Sequence, residues 1–482
     1  SHRAPKIIRE HHNFSELSMD CLWKQVLSAL EEVIQKISLK RENIATIGIS
    51  GTACGCWLLK PDGHPVRNAI LWNDGRSADI IGNWQKSGIL DEIFQISGNG
   101  IFPGYPIAVL KWLKENEPEN IKAAKYNVFC KDWIRYQLTG EIAVDHSDMG
   151  YFPYDIRKKE ISKKILQICG IENFERLIPE IINPESVAGY LKIEIANKLG
   201  LRTNVPIIAG LVDVAATTLG GGAYAAGQAC SIIGTSFLNT IVCKSPSFIP
   251  FDIGVQTSTI DDSYIRSMVN TSGTINLQWF LDTFCKYEKE HLLEKSESIY
   301  DWSEETASKI PIGSDGVMYH PYINTTGVIS PFVNPTARAQ FFGVSTDHTK
   351  AHFLRAIYEG TALSMLDCYE HIPEKIDKVF VSGGGASSTF WCQMFADCTG
   401  KEILVTNGSE LGARGVAVLA GCALGLYRDM KYVAEVVFKI ANRYQPTLKN
   451  HERYLQLYKL YKDIYMHISD DWWYRHNMLK GF

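Results

Sequence analysis

Apolar positions along this chain follow two different spacings. Ile44-Ala45-Thr46-Ile47-Gly48-Ile49-Ser50 is a short β-branched run that reads as a buried strand, and Cys56-Trp57-Leu58-Leu59 leads into a turn at Pro61-Asp62-Gly63. Segments 104–117 and 131–139 instead carry their apolar residues at helical spacing, and a strand at 205–211 closes this half before the glycines at 220–222. The same logic then starts again with a hairpin at 228–243, strands around 264–270, a helix at 349–371, a strand at 378–381, a glycine-rich turn and a helix from Thr389. Strands alternating with amphipathic helices predict an α/β class. The restart places a boundary near Ala223 to Gly227 and predicts two domains, 1–225 and 226–482. The tail from 451, Tyr454 through Tyr461 and on to Trp472-Trp473-Tyr474, repeats at helical spacing and predicts a packing helix.

Composition narrows the class. A chain of 482 residues exceeds what one core usually covers, which agrees with two domains. With 45% hydrophobic and 21% charged residues and no long uncharged apolar run, the chain reads as globular, with no membrane partner. The net charge of −4 comes without a basic stretch, because Arg157-Lys158-Lys159 and Lys163-Lys164 are short and flanked by acids, so no nucleic-acid partner is expected. The 12 cysteines are scattered through apolar segments, and no segment reads as a signal peptide, which suits the reducing cytoplasm. Cys54 and Cys56 form a C-x-C without a second Cys/His pair at zinc spacing, so no structural metal is assigned.

Three segments carry candidate chemistry. Gly210 through Gly222 sets a single carboxylate, Asp213, between an apolar strand and a helix of small residues. Asp213 has two readings, a base that orients and deprotonates a hydroxyl and a cap for the helix beginning near Val214, and the two can coexist. Ser231 through Phe237 is a strand, turn and strand in which Gly234-Thr235-Ser236 offers backbone N–H groups and hydroxyls to an anion, with an ordinary hairpin turn as the alternative. Val379 through Ser388 runs from a strand through Gly383, Gly384 and Gly385 into a helix, where a phosphate or a flat ring can approach the backbone. The third glycine of G-x-G-x-x-G is missing, which demotes a nicotinamide-dependent dehydrogenase, and no G-x-x-x-x-G-K-[ST] is present, which disfavours a P-loop kinase.

Five ordered motifs resemble the FGGY carbohydrate kinases of the actin, hexokinase and Hsp70 superfamily. They are Ile70 to Arg76 (W-N-D-x-R), Lys131 to Gly140 (K-D-[YW]-[LI]-x-x-x-L-T-G), Asp145 to Asp148 (D-x-S-D), Gly104-Tyr105-Pro106 to Leu113, and Phe342 to Gly360. The resemblance implies two actin-like (ribonuclease H-like) α/β domains with a central cleft, the first binding sugar and the second nucleotide. It implies Asp213 as catalytic base, Gly234, Thr235 and Ser236 as a phosphate loop, and Gly384, Gly385 and Ser388 as the adenosine turn. Gly273, Thr274 and Gln278 resemble a further nucleotide contact, for which a capped helix start is the alternative. ATP would be the co-substrate and Mg²⁺ would bridge its phosphates.

Departures from the pattern bear on the substrate. Ala53-Cys54 replaces the Arg-Glu of glycerol kinases and the Met-His of D-xylulose kinases, so both of those sugars recede, and Val109 replaces a usual lysine. Gly210 to Thr218, Asn270 to Gly273, and Tyr319 to Tyr322 resemble erythritol and L-xylulose kinases, which implies a small polyol or ketose walled by Ala53, Cys54, Trp72, Asn73 and Asp74. Trp72 has a plain core reading as well. Ser1-His2-Arg3-Ala4-Pro5 resembles sequence just after the family's opening D-x-G-T hairpin, and no D-x-G-T occurs in the chain. The expectation is either that a piece precedes this sequence or that part of the phosphate site is missing. Dimers are common in the family, so a homodimer is expected on that ground alone. A non-catalytic sugar or nucleotide sensor is the alternative function.

Overall fold

The computed structural model describes residues 5–9, 11, 13–36 and 41–479, so the opening Ser1–Ala4 motif lies outside the described residues. The chain divides into two compact units, each discontinuous in sequence. The first comprises Ser1–Gly220, Cys243–Arg266 and Glu410–Phe438, and the second Gly221–Val242, Ser267–Ser409 and Lys439–Phe482.

The first unit surrounds short strands with helices. The strand expected over 44–50 is brief: only Ser50–Gly51 pairs, in parallel with Leu211–Val212, and Ile47 adds an isolated parallel bridge to Ile207. Trp57–Leu59 pairs antiparallel with Tyr126–Val128 and is fully buried. The helix Pro106–Asn116 begins with a proline, whose missing N–H costs nothing in a first turn, and it buries Val109, Leu110 and Leu113. Val109 is wholly enclosed, so a lysine there would place a charge in the core. The helix Cys130–Thr139 starts where the Asp132 carboxylate accepts the Phe129 N–H at 3.1 Å.

The second unit is built on segments of one sheet in the spatial order 267–270, 237–242, 228–233, 378–382, 402–406 and 440–444. Gln228–Ile233 and Phe237–Cys243 form the expected hairpin, while Gln228–Ile233, Lys378–Ser382 and Glu402–Thr406 run parallel. Counting its first five strands along the chain gives the order 3-2-1-4-5, with crossover helices Lys350–Glu370 and Thr389–Thr399 between the parallel strands. The tail is a packing helix, Leu448–His467, but it docks through tyrosines: Tyr454, Tyr458, Tyr461 and Tyr465 are buried and Leu460 is exposed. Their hydroxyls reach buried acids, as in the 2.8 Å bond from Tyr458 to Asp367.

Candidate functional site

Asp213, Cys54, Cys130 and Tyr151 of the first unit lie near one another where the Leu211–Val212 strand ends. Asp213 is the first residue of the helix Asp213–Gly221 and is half-buried. Its Oδ1 accepts one bond, from the adjacent Val214 N–H at 2.8 Å, and its Oδ2 has no hydrogen-bond partner among the described residues. A capping aspartate ordinarily serves an N–H two or three residues ahead, so capping does not account for this carboxylate. Burial pushes the Asp213 carboxyl from 3.8 to about 6, with only the Val214 N–H opposing. At neutral pH the group is ionised but far more basic than a surface carboxylate.

Cys54 lies close enough to Asp213 and Asp148 that both carboxylates, after burial itself, raise its thiol pKa. Its backbone has φ 64°, a left-handed conformation that a non-glycine residue adopts at a cost. Ala53 precedes it in the same loop and is half-buried. Cys130 and Tyr151 share the neighbourhood, since Asp213 and Asp148 also perturb both, and Tyr105 lies within the influence of Cys54. Gly104 ties the loop to the Trp72 segment. Its carbonyl accepts the Gly55 N–H at 3.0 Å, and a Cβ on it would overlap the Trp72 carbonyl oxygen, so only glycine fits there.

The three residues of the W-N-D stretch are placed differently from one another. Trp72 is 54% exposed, which removes its core reading, and Asn73 is exposed beside it. Asp74 is buried, with Oδ1 paired to Arg76 Nε at 2.8 Å and Oδ2 accepting the Ser15 N–H at 2.6 Å. Its oxygens hold the loop together, and Trp72 and Asn73 are the members left facing solvent.

In the second unit, three sequence-remote segments meet at one corner. The hairpin turn Gly234-Thr235-Ser236 closes with the Gly234 N–H donating to the Ser236 carbonyl at 3.0 Å. Gly273 N–H donates to the Thr235 carbonyl at 2.7 Å, and Thr274 donates to the Gly234 carbonyl from its N–H at 2.8 Å and from its hydroxyl at 3.0 Å. The loop's carbonyls are thereby turned inward. The N–H groups and hydroxyls of the exposed Thr235 and Ser236 have no partner among the described residues, which is the polarity an anion requires. Thr274 spends its hydroxyl on this loop, not on capping the helix Ile275–Phe284.

The glycine turn joins the same corner. Ile232 pairs with Ser382 across the parallel strands, and a Cβ on Gly385 would sit 2.7 Å from Ile233 Cγ2. Gly384 is exposed with open space where a side chain would be, and Ser388 caps the helix Thr389–Thr399 by accepting the Trp391 N–H at 2.9 Å. The structure therefore brings 234–236, 273–274 and 384–388 together at the N-terminus of an 11-residue helix. Gln278 stands apart in function: its amide donates to Asp282 at 2.8 Å and accepts from the Tyr300 hydroxyl.

Among the described residues, Asp132, Asp145 and Asp148 are the one group of three acids close enough to share a cation. The Lys131 ammonium occupies that centre, paired with all three. Twelve free cysteines and the absence of any described helix long and apolar enough to cross a membrane complete the inventory.

Comparison with known proteins identifies the arrangement. Residues 1–220 match the N-terminal domain of the FGGY family of carbohydrate kinases and residues 229–424 match its C-terminal domain. The chain is 30% identical to a xylulose kinase of Bacillus subtilis, over 98% of this chain and 92% of that one. It is 27% identical to an erythritol kinase of Brucella abortus, over 96% and 90%. The crystal structure of a xylulose kinase from Lactobacillus acidophilus superposes with TM-score 0.87 at 24% identity, covering 97% of this chain and 92% of that chain.

Proposed function

This chain belongs to the FGGY family of carbohydrate kinases, and from that premise we propose that it transfers the terminal phosphoryl group of ATP to a terminal hydroxyl of a small polyol or ketose, with Asp213 as base. The observation that carries the reading is the Asp213 carboxylate, held by one bond, with its second oxygen unspent and its basicity raised by burial. The acceptor hydroxyl gives its proton to that oxygen as the new O–P bond forms, and the bond to the departing ADP oxygen breaks. A base with pKa near 6 is ionised at neutral pH yet accepts a proton more readily than a free aspartate.

The sugar is read by residues before about 225 and the nucleotide by residues after it. Cys54, Ala53, Trp72 and Asn73 wall the acceptor, with Asp74 fixing the loop that presents the last two. Replacing charged side chains by Ala53 and Cys54 removes two hydrogen-bonding groups, which favours an acceptor with fewer or differently placed hydroxyls than glycerol or D-xylulose kinases accept. The relatives named xylulose, L-xylulose and erythritol kinases support this size range. The donors of Thr235 and Ser236 suit the transferring phosphates, and the Gly384–Ser388 turn suits the adenosine. A non-catalytic sensor is not favoured in a family of kinases.

Mg²⁺ would be carried by the nucleotide's phosphates. The Asp132–Asp145–Asp148 group does not fit it, because an ammonium already fills the centre and all three acids are sealed from solvent. Phosphate oxygens and water would be its donors, and the ion would supply charge neutralisation of the phosphates. A reducing, cytoplasmic setting fits the free cysteines, and a homodimer is the assembly to test by light scattering.

The deciding experiment measures ADP release from ATP against tetritols, pentitols and pentuloses. Acceptor-dependent ADP formation that Asp213→Asn lowers by about 10³-fold supports the reading. Formation that survives Asp213→Asn at the parental rate overturns it.

A further inference from the structure

The strand that delivers Asp213 is clamped from both sides. On one side it pairs with Ser50–Gly51, and the Leu211 N–H donates to the Ile49 carbonyl at 3.3 Å. The next N–H points the other way, as strand geometry requires, and no strand receives it. Ser147 does: its Oγ accepts the Val212 N–H at 2.9 Å. Three residues upstream, just before that strand, Arg135 Nη1 donates to the Ala209 carbonyl at 2.9 Å.

Both grips lead back to one buried group of charges. Ser147 Oγ donates to Asp145 Oδ1 at 2.6 Å, and the same oxygen accepts the Ser147 N–H at 2.9 Å, so the hydroxyl's rotation is fixed with a lone pair aimed at Val212. Asp145 Oδ2 is held by Lys131, which also bonds Asp132 Oδ1 at 2.9 Å and pairs with Asp148. Arg135 Nη1 pairs with Asp132 Oδ1 at 2.9 Å, and the Thr257 hydroxyl donates to the Ser147 carbonyl. Lys131, Asp132, Arg135, Asp145, Ser147 and Asp148 are all buried. Such a group is costly to bury, and stability alone does not explain it, because apolar side chains of the same volume fill cores at least as well.

We propose that Ser147, oriented by Asp145 and Lys131, is a positioning residue that pins the Val212 amide and thereby sets the direction of the Asp213 carboxylate. This rests on the reading of Asp213 as base. The residue before the base has one N–H, and the hydroxyl that takes it is locked by an ion pair. Loosening that bond lets the Val212–Asp213 peptide rotate and moves the carboxylate oxygen relative to the acceptor hydroxyl, where errors of about 1 Å cost on the order of 100-fold in rate.

The test compares steady-state kinetics and thermal midpoints of the full chain carrying Ser147→Ala, Ser147→Cys, Asp213→Asn or Thr361→Ala. Ser147→Cys keeps the volume but offers a poor acceptor, so it remains informative if the alanine variant does not fold. Thr361 is a buried helix residue of the second unit whose hydroxyl bonds the Ile357 carbonyl at 3.0 Å, and it reports the effect of losing one interior hydrogen bond. The expected result is a kcat about 10–100-fold lower in the Ser147 variants, KM for ATP and sugar within about twofold of the parent, and a parental kcat for Thr361→Ala. A kcat within twofold of the parent, a loss carried by KM, or an equal kcat loss in Thr361→Ala overturns the proposal. Parental turnover in Asp213→Asn overturns the base assignment instead, whatever the Ser147 variants do.

Discussion

Asp213 and Asp367 are aspartates that burial pushes to the same pKa, about 6. Their surroundings are opposite. Asp367 Oδ1 accepts the Tyr458 hydroxyl at 2.8 Å and the Tyr465 hydroxyl at 3.4 Å, with His371 Nδ1 at 3.5 Å, and the side chain is sealed. Asp213 accepts one backbone N–H and keeps an oxygen unspent at a surface. One acid fastens the tail helix to the helix Lys350–Glu370, and the other is available to a ligand. A raised pKa marks desolvation alone; an unused oxygen within reach of solvent is what separates a reactive acid from a fastening one.

The comparison is broken most directly by exchanging each carboxylate for an amide. Asp213→Asn lowers kcat by about 10³-fold, while Asp367→Asn leaves kcat and KM within about twofold, because the amide oxygen still accepts from Tyr458. Equal losses in the two variants, measured by ADP release, would erase the distinction. Asp367→Ala strips the acceptor from two buried tyrosine hydroxyls and lowers unfolding free energy by about 2–4 kcal/mol in urea titrations, with kcat unchanged.

A pH series sharpens the contrast further. With Asp213 as the proposed base, which must be ionised to accept a proton, kcat/KM is expected to fall about tenfold per pH unit below about 6 and to be flat above it. In Asp367→Asn the same limb stays in place. The smallest effect is on stability and has the reverse sign from the loss in activity. A carboxyl whose folded pKa is raised from 3.8 to about 6 binds its proton more tightly in the folded state, so stability falls as pH rises across that window and the cost persists at pH 7. Asp213→Asn removes it and raises unfolding free energy by about 1–2 kcal/mol at pH 7, vanishing near pH 4, after allowing for the group's partial exposure.

Long periodic elements were legible in the sequence: 104–117 and 349–371 emerge as Pro106–Asn116 and Lys350–Glu370, and the hairpin at 228–243 closes on Gly234 to Ser236. The run Ile44–Ser50 was not, because its neighbours supply only one bridge and a two-residue pairing, and β-branched composition cannot count partners. Asp213 stood out by its position between a strand and small residues, but its unspent oxygen is a tertiary fact. The gathering of Lys131, Asp132, Asp145 and Asp148 around one ammonium was likewise hidden, since their motifs show order along the chain and nothing of the three-dimensional pairing. Cys130 and Tyr151 were missed as neighbours of Asp213 for the same reason, and so was Tyr105 as a neighbour of Cys54 and Tyr151; Tyr105 sat within a motif whose glycine could have signalled a close approach.

The backbone at Cys54 limits how the proposed acceptor site can diverge. Side chains that resist φ near 64°, valine, isoleucine and threonine above all, are disfavoured at position 54 by about 1–2 kcal/mol, whereas glycine, asparagine and aspartate are admitted. Attempts to retool acceptor preference therefore have a narrow alphabet at 54 and a wide one at Ala53, whose φ carries no such restriction. A library built on both positions should return its variety from the alanine and near uniformity from the cysteine.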